Sequence, residues 1–380
     1  MRIGIISDLY YPHLGGGEFY LINIEKQLIK QGHEVVHLTS KIKGTKSKEF
    51  FQNIEVNRAW IPFEKNFMLG RFFFPFTNIA KIGCLKDVDV IQSITYPAAG
   101  TGWILGKILN KPNVLYCHDF FRGLWKYIRS DPISQTLWPL AENIIGHSPY
   151  DWAITPSLYS KKSLADAGFD SKKITVIPHG IDPKFRPIKS SWRRKYNLED
   201  KKVFGFIGRL GDFGQKGTPY LIEAAKLVID EIPDAKLVLA GSGYEKVEPL
   251  VKKFGIEKSV LPLGKIPIGT EPQFYCMLDV FLGASIAEGL SLVYAEASRC
   301  GIPIVSTNAT SLPELVKNNE TGILVPPRNA RALADATIKL LENKKLAEKM
   351  GEKGAEFTKK FTWENAAIEH AKVYEMLVRR

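Results

Sequence analysis

Glu288 and Glu296 stand eight positions apart in AEGLSLVYAEA (287–297), on either side of a short apolar run, in a chain whose formal net charge is +12. The surrounding pattern, LDVFLGAS, LSLVYAEASRCG and PIVST, reads as strand, helix and strand, with Glu288 in the intervening loop and Glu296 in the helix. Ligands of open parallel sheets collect at the carboxyl ends of the strands, where helices begin. Backbone N–H groups at Gly289, Leu290 and Ser291 would there face an anion, aided by a helix dipole worth roughly 0.3–1 kcal/mol. A carboxylate beside such a cradle repels phosphate but accepts hydrogen bonds from hydroxyls. The ligand implied carries both phosphate and polyol, as a nucleotide sugar does. Taken alone, the pair also has a plainer explanation, acidic residues complementing a helix dipole.

A second stretch shifts the balance. VFGFIGRLGDFGQKGTPYLIEAA (203–225) puts Arg209 at the end of a strand and Lys216 just before a helix, at the carboxyl edge of the sheet that carries Glu288. Arg209 offers a planar fork to phosphate and Lys216 a compact charge, each hydrogen bond to a charged group being worth roughly 1.5–3 kcal/mol. Together they suit a diphosphate leaving group. In the first half of the chain, LYYPHLGGGEFYLINI (9–24) holds Gly15, Gly16 and Gly17 between a strand and a helix, where glycine permits positive φ and close backbone approach. The run matches neither GxxxxGK[ST] nor GxGxxG, which argues against an ATPase or a dinucleotide enzyme. VLYCHDFFRG (114–123) places His118 and Asp119 at another strand end. Asp87 and Asp89 of DVD open a strand at its amino end, away from the ligand edge, so no metal site is read there.

These residues need two sheets to hold them. A chain of 380 residues exceeds what one core accommodates. Its composition, 45% hydrophobic and 24% charged, is that of a globular protein. RIGIIS, EVVHLTS, DVDVIQS and NVLYCH alternate with amphipathic stretches, and the rhythm restarts after residue 200 with VFGFIG, AKLVLAG, DVFLGAS and PIVST. That is βαβ patterning twice over, hence two doubly wound parallel sheets. The proline-rich ITVIPHGIDPKFRPIKSSWRR (174–194) is the connector, with a boundary near Pro183. The expected division is 1–182, 183–362 and a terminal helix, 363–380, capped by Thr362.

The opening MRIGIISDLYYP reads as a first strand, its apolar run being too short for a signal-peptide core. No run approaches the ~18 apolar residues of a membrane span. Four cysteines without CxxC or metal-site spacing fit a reduced, cytoplasmic setting. The basic charge admits nucleic acid, anionic lipid or phosphorylated small molecules. A nucleic-acid-binding protein would explain the charge but not Glu288 and Glu296, and no RRM, KH or zinc-finger pattern is present.

GGGE, HD, ITPSLYSKKSL, VIPHGIDPKFRP, GRL…KG, LVLAGSG, EGLSLVYAEASRCGIPIVST and GILVPP occur in this order over nearly the whole length. In this the chain resembles the retaining GT-B glycosyltransferases with a Glu-x7-Glu motif, glycosyltransferase family 4-like or "glycosyl transferases group 1". The resemblance implies a GT-B fold, two Rossmann-like domains facing a central cleft, with an N-terminal acceptor domain, a C-terminal nucleotide-sugar domain and a last helix packed back on the first. It implies that Glu288 sits over the donor sugar, Glu296 contacts the ribose, and Arg209 and Lys216 bind the diphosphate. The backbone from Gly289 to Leu292, through Leu290 and Ser291, would support donor phosphate and sugar, Gly16 and Gly17 would close on the phosphates, and His118 would approach the transferred sugar. The expected activity is hexosyl transfer from a UDP-, GDP- or ADP-sugar to a sugar or lipid-linked acceptor with retention, no cofactor and no obligatory metal, the departing phosphate serving as base.

Two features depart from the pattern: RLGDFGQK is a longer loop than in many relatives, and Ser291 stands where glycine is frequent. A nucleotide-sugar epimerase or a phosphorylase could use a similar cleft. For the acceptor, EKNFMLGRFFFPF (64–76) and DFFRGLWKYIR (119–129) mix aromatics with Lys and Arg as interfacial segments do, which suggests peripheral contact with an anionic membrane, at the cytoplasmic face, unless those aromatics are core. No nucleic-acid partner is expected.

Overall fold

The computed structural model describes residues 1–13, 15–62, 70 and 73–379, and the chain divides into two compact units. The first comprises Met1–Arg122, Thr136–Gly180 and Thr362–Arg380. Its strands are β1 (Arg2–Ile6), β2 (Glu34–Ser40), β3 (Lys48–Phe51), β4 (Ile54–Ala59), β5 (Val90–Ile94), β6 (Asn113–Tyr116), β7 (Trp152–Thr155) and β8 (Ile174–Val176). They form one sheet in the order 3-4-2-1-5-6-7-8, parallel except for the β3–β4 pair. Central strands covered on both faces need apolar residues on both, and Ile3, Ile5, Val90, Ile91, Val114 and Leu115 are all fully buried. The chain leaves β1 towards β2 on one side and returns to β5 on the other. The carboxyl ends of β1 and β5 therefore flank the switch point where such sheets bind ligands.

The second unit comprises Gly123–Gln135 and Ile181–Phe361. Strands β9 (Lys202–Arg209), β10 (Ala235–Ser242), β11 (Val260–Gly264), β12 (Val280–Leu282), β13 (Ile304–Thr307) and β14 (Gly322–Val325) lie in the order 11-10-9-12-13-14, all parallel. Here the switch point falls between β9 and β12, at the ends that carry Arg209 and the loop to Glu288. Asp89, from the rejected DVD, accepts the main-chain N–H of Arg2 at 2.7 Å, tying together the amino ends of two strands.

Two assignments depart from the linear reading. The chain passes into the second unit at Ile181, and the stretch Gly123–Gln135 joins that unit although continuity places it in the first. The physical cause is close packing: a Cβ on Gly214 would lie 2.1 Å from the carbonyl oxygen of Ile128, so only glycine lets the two segments meet. Arg328 also covers the Tyr127 ring at 4.2 Å.

The terminal helix, Trp363–Val378, is capped by Thr362, whose Oγ1 accepts the Asn365 N–H at 3.1 Å. It packs on the first helix, Gly16–Lys30, through a buried polar chain. Tyr374 donates to Gln92 Oε1 (2.7 Å), so its oxygen accepts from His370 Nδ1 (3.2 Å), and His370 Nε2 accepts from the Tyr20 hydroxyl (2.8 Å). Burial pushes the His370 imidazole down to about 3, which keeps it in the neutral form this chain of bonds requires. Tyr374→Phe removes an acceptor and a donor from a fully buried site. We expect amides of Trp363–Val378 to exchange roughly tenfold or more faster in that variant, read by hydrogen-exchange mass spectrometry of the full chain.

Candidate functional site

In the second unit, β9 ends on Arg209 and the chain turns into a single helical turn, Phe213–Lys216. Asp212 caps that turn by accepting the Gln215 N–H at 3.2 Å, and its other oxygen meets Arg209 Nη2 at 3.1 Å. Arg209 also donates to Gln215 Oε1 at 2.9 Å while its side chain stays exposed. The turn closes on Gly217 at φ +61°, where a Cβ would lie 2.1 Å from the Ala284 carbonyl oxygen. The loop after β12 is thereby drawn onto this turn, and Ile286 donates its N–H to the Gln215 carbonyl at 2.8 Å.

This contact delivers Glu288 to Lys216. Lys216 Nζ donates to Glu288 Oε1 at 2.7 Å, with side chains only 11% and 6% exposed. The sequence separates them by 72 residues; the sheet order makes them a buried ion pair. Gly289, Leu290 and Ser291 follow, all buried, and the helix Leu292–Arg299 begins. Ser291 stands at its N-cap without capping it through the side chain. Glu296 lies within the helix, half-buried, and accepts from the Tyr275 hydroxyl at 2.7 Å. Burial pushes its carboxyl up to about 8, against the opposing effect of that hydrogen bond.

In the first unit, Asp8, Gly17, Glu18, Thr95, His118 and Asp119 line a pocket of about 100 Å³ at the switch point of the sheet. Gly16 opens the first helix, and a Cβ there would meet nothing within 4 Å. None of Gly15, Gly16 and Gly17 adopts the positive φ that the run permits; the glycines leave backbone bare instead of reversing the chain. Glu18 accepts the Gly15 N–H at 2.7 Å and so caps the helix. His118 donates its backbone N–H to Thr95 Oγ1 at 3.2 Å, and its ring stacks on His179 at 5.3 Å. Its Nδ1 is buried with no hydrogen-bond partner among the described residues. His179 is held neutral by burial, with His118 beside it adding to the effect, and is hydrogen-bonded to the Tyr116 hydroxyl at 2.7 Å.

Residues 14–185 match the family Glycosyltransferase Family 4, and residues 188–357 match Glycosyl transferases group 1. The chain belongs to the GT-B glycosyltransferases. A glycosyltransferase of Methanocaldococcus jannaschii, itself uncharacterized, is 27% identical over 390 residues, covering 99% of this chain and 98% of that protein. Sucrose-phosphate synthase of Thermosynechococcus elongatus superposes with a TM-score of 0.83 at 24% identity, covering 100% of this chain and 99% of the other. Anabaena HepE, solved with UDP and glucose, superposes with a TM-score of 0.80 at 20% identity, covering 99% and 100%. The two structures share the fold.

In this glycosyltransferase the candidate residues fall into two groups. Arg209, Lys216, Glu288 and Gly289 to Leu292 share one edge of the second unit, with Glu296 on the helix that follows, and Gly17 and His118 share the pocket of the first. Sequence reasoning missed Gln215, Tyr275, His179 and Thr310, whose Oγ1 accepts the Glu288 N–H at 2.9 Å. His179 and Gln215 lie inside quoted motifs, but no residue type or spacing there marks them out. Of the two readings of 119–129, core packing holds for Phe120, Phe121, Trp125 and Ile128, which are buried, whereas Tyr127 is 38% exposed. Most of 64–76, namely 64–69 and 71–72, lies outside the described residues.

The Glu296 carboxyl sets a pH dependence. Its folded pKa is raised, so between about 4.5 and about 8 the folded enzyme holds a proton that the unfolded chain has released. The stability it contributes is full below that window and is lost as pH rises through it. Glu296→Gln should therefore gain stability relative to wild type at pH 8.5 and little at pH 5, measured by urea denaturation at the two pH values.

Proposed function

We propose that this glycosyltransferase moves a hexose from a nucleoside-diphosphate sugar to a sugar or lipid-linked acceptor, with retention of anomeric configuration and without an obligatory metal or cofactor. The observation that carries the reading is the Lys216–Glu288 pair at the switch point of the second sheet, beside the Arg209 strand end. A cation and a carboxylate fixed side by side suit a ligand with phosphate next to hydroxyl. Lys216 has three N–H donors and can keep Glu288 while adding a phosphate oxygen. The exposed Arg209 fork adds a second charge, and the amino end of Leu292–Arg299, which has no side-chain cap, adds backbone donors.

Such a site stabilises charge on a departing diphosphate. Glycoside hydrolysis instead needs a carboxylic acid to protonate a poor leaving group and a second carboxylate as base or nucleophile. The Glu288 carboxylate is salt-bridged to Lys216, which suits transfer better than hydrolysis. Glu296 can accept from ribose hydroxyls, and His118 Nδ1 can, according to tautomer, accept from or donate to a sugar hydroxyl. Retention, with attack from the leaving-group side and the phosphate as base, rests on the family resemblance.

A thermal-shift panel of UDP, GDP, ADP and their hexose conjugates tests the donor class, since a ligand of the native state raises Tm. The HepE complex makes UDP-glucose the first member to try. Glu288→Gln and Arg209→Ala should each lower transfer by about 100-fold with Tm little changed, while wild-type transfer persists in EDTA and the product keeps the donor's anomeric configuration by NMR. Stabilisation by no nucleotide, together with salt-sensitive oligonucleotide binding, would replace this reading with a nucleic-acid-binding one.

The lipid-linked acceptor has its own support. In the helix Pro132–Gly146, Leu137, Leu140 and Ile144 are 53%, 53% and 62% exposed at one-face spacing. Exposed Arg122 donates to Asn143 on the same helix, setting a cation beside the apolar stripe. A basic protein presenting such a face suits an anionic bilayer. Among the described residues no helix is long and apolar enough to cross a membrane, so the contact proposed is peripheral. Flotation with anionic vesicles at low salt should recover the wild-type protein and lose the Leu137→Ser/Leu140→Ser/Ile144→Ser variant. Absence of wild-type binding would remove the membrane from this reading.

A further inference from the structure

Thr310 is the most strained placement near the candidate donor site. Its φ is +49°, and among the described residues the other non-glycine residues with positive φ are Asn, Gln or Arg. A β-branched side chain in this region is a true outlier, costly unless the surroundings hold it there. The surroundings in question are the main chain of Glu288. Thr310 Oγ1 accepts the Glu288 N–H at 2.9 Å, and the next residue, Ser311, donates its hydroxyl to the Glu288 carbonyl oxygen at 2.9 Å.

Ser311 shows that this is a diversion of hydroxyl groups from their ordinary local use. It stands at the N-cap of the turn Leu312–Leu315, where a serine usually bonds the helix N–H groups, yet its side chain makes no such bond. Both backbone polar groups of Glu288, its N–H and its C=O, are thus gripped by two consecutive hydroxyls from the loop after β13 (Ile304–Thr307). The Glu288 carboxylate is gripped independently by Lys216.

We infer that Thr310 is a positioning residue for Glu288. Its hydroxyl fixes the peptide from which the carboxylate projects, and the strained backbone is the cost of bringing that hydroxyl within reach. Glycine would take this φ without strain but has no hydroxyl; serine keeps the hydroxyl with less crowding at Cβ. The inference rests on the proposed role of Glu288.

The test uses the full chain and, as probe, whichever of UDP-glucose, GDP-mannose and ADP-glucose is turned over fastest, following nucleoside-diphosphate release. Thr310→Gly should keep or raise Tm while kcat falls about tenfold and the donor KM moves by less than about twofold. Thr310→Ser should restore kcat to within about threefold of wild type. In the Glu288→Gln background, Thr310→Gly should cause little further loss, because the carboxylate it positions is gone.

Wild-type kcat in Thr310→Gly overturns the inference, as does a loss that serine does not rescue or one that multiplies fully with Glu288→Gln. Full activity in Glu288→Gln alone would instead overturn the role of Glu288, so the two failures are distinguishable.

Discussion

The buried ion pair between Lys216 and Glu288 is the contact on which the carboxyl edge of the second unit's sheet depends. Removing two charges from water costs several kcal/mol per ion before their attraction is counted, so such a pair persists only where its surroundings fix the geometry. Three loops supply that geometry. The turn after β9 sets Lys216 and closes on Gly217, where no side chain fits against Ala284. The loop after β12 is fastened to that turn through the Gln215 carbonyl. The loop after β13 holds the Glu288 peptide through Thr310 and Ser311. Each loop leaves the carboxyl end of a parallel strand, and parallel pairing alone brings them to one edge.

The first unit meets the same topological constraint with different chemistry. Its switch point lies between β1 and β5, and the pocket there is lined by carboxylates, a histidine and bare glycine backbone instead of cations. The imidazole of His118 rests on a second, neutral imidazole whose own bond runs to Tyr116. Tyr20, in the first helix, stacks on Tyr116 at 4.2 Å and bonds His370 of the terminal helix. A helix formed by the last residues of the chain thus supports the back of a pocket built largely from the first 120 residues. A small pocket with acceptor groups on its walls suits hydroxyl recognition; the cations suited to phosphate lie in the other unit.

How much of this could be read beforehand follows from how each interaction is encoded. The placement of Arg209, Lys216, Glu288 and His118 beside strand ends and helix starts was legible because such boundaries leave local patterns. The Thr362 cap was legible for the same local reason. Tyr275 against Glu296, Gln215 under Arg209 and Thr310 under Glu288 were not, since each depends on which strands become neighbours. The aromatics at 119–129 illustrate the limit most clearly. Composition cannot tell a buried aromatic from an interfacial one, and the apolar surface that is exposed lies one helix further on, where Leu137, Leu140 and Ile144 share a face. The allegiance of Gly123–Gln135 was equally hidden, being decided by the absence of a side chain at Gly214, far along the chain.

A net charge of +12 suggests a protein whose cations await an anion, yet Arg209 and Lys216 are engaged within the protein: Arg209 with Asp212 and Gln215, Lys216 with Glu288. Their partners restrict both side chains, so a phosphate bound there would meet oriented donors at a smaller entropy cost. The same partners set a condition on the ligand. An anion that drew Lys216 away from Glu288 would leave a carboxylate buried and unpaired, which is costly. A ligand that brings hydroxyl donors to Glu288 while its phosphate meets Lys216 satisfies both groups together. On this reasoning free phosphate alone is a poor fit for the edge, and phosphate joined to a polyol is a good one.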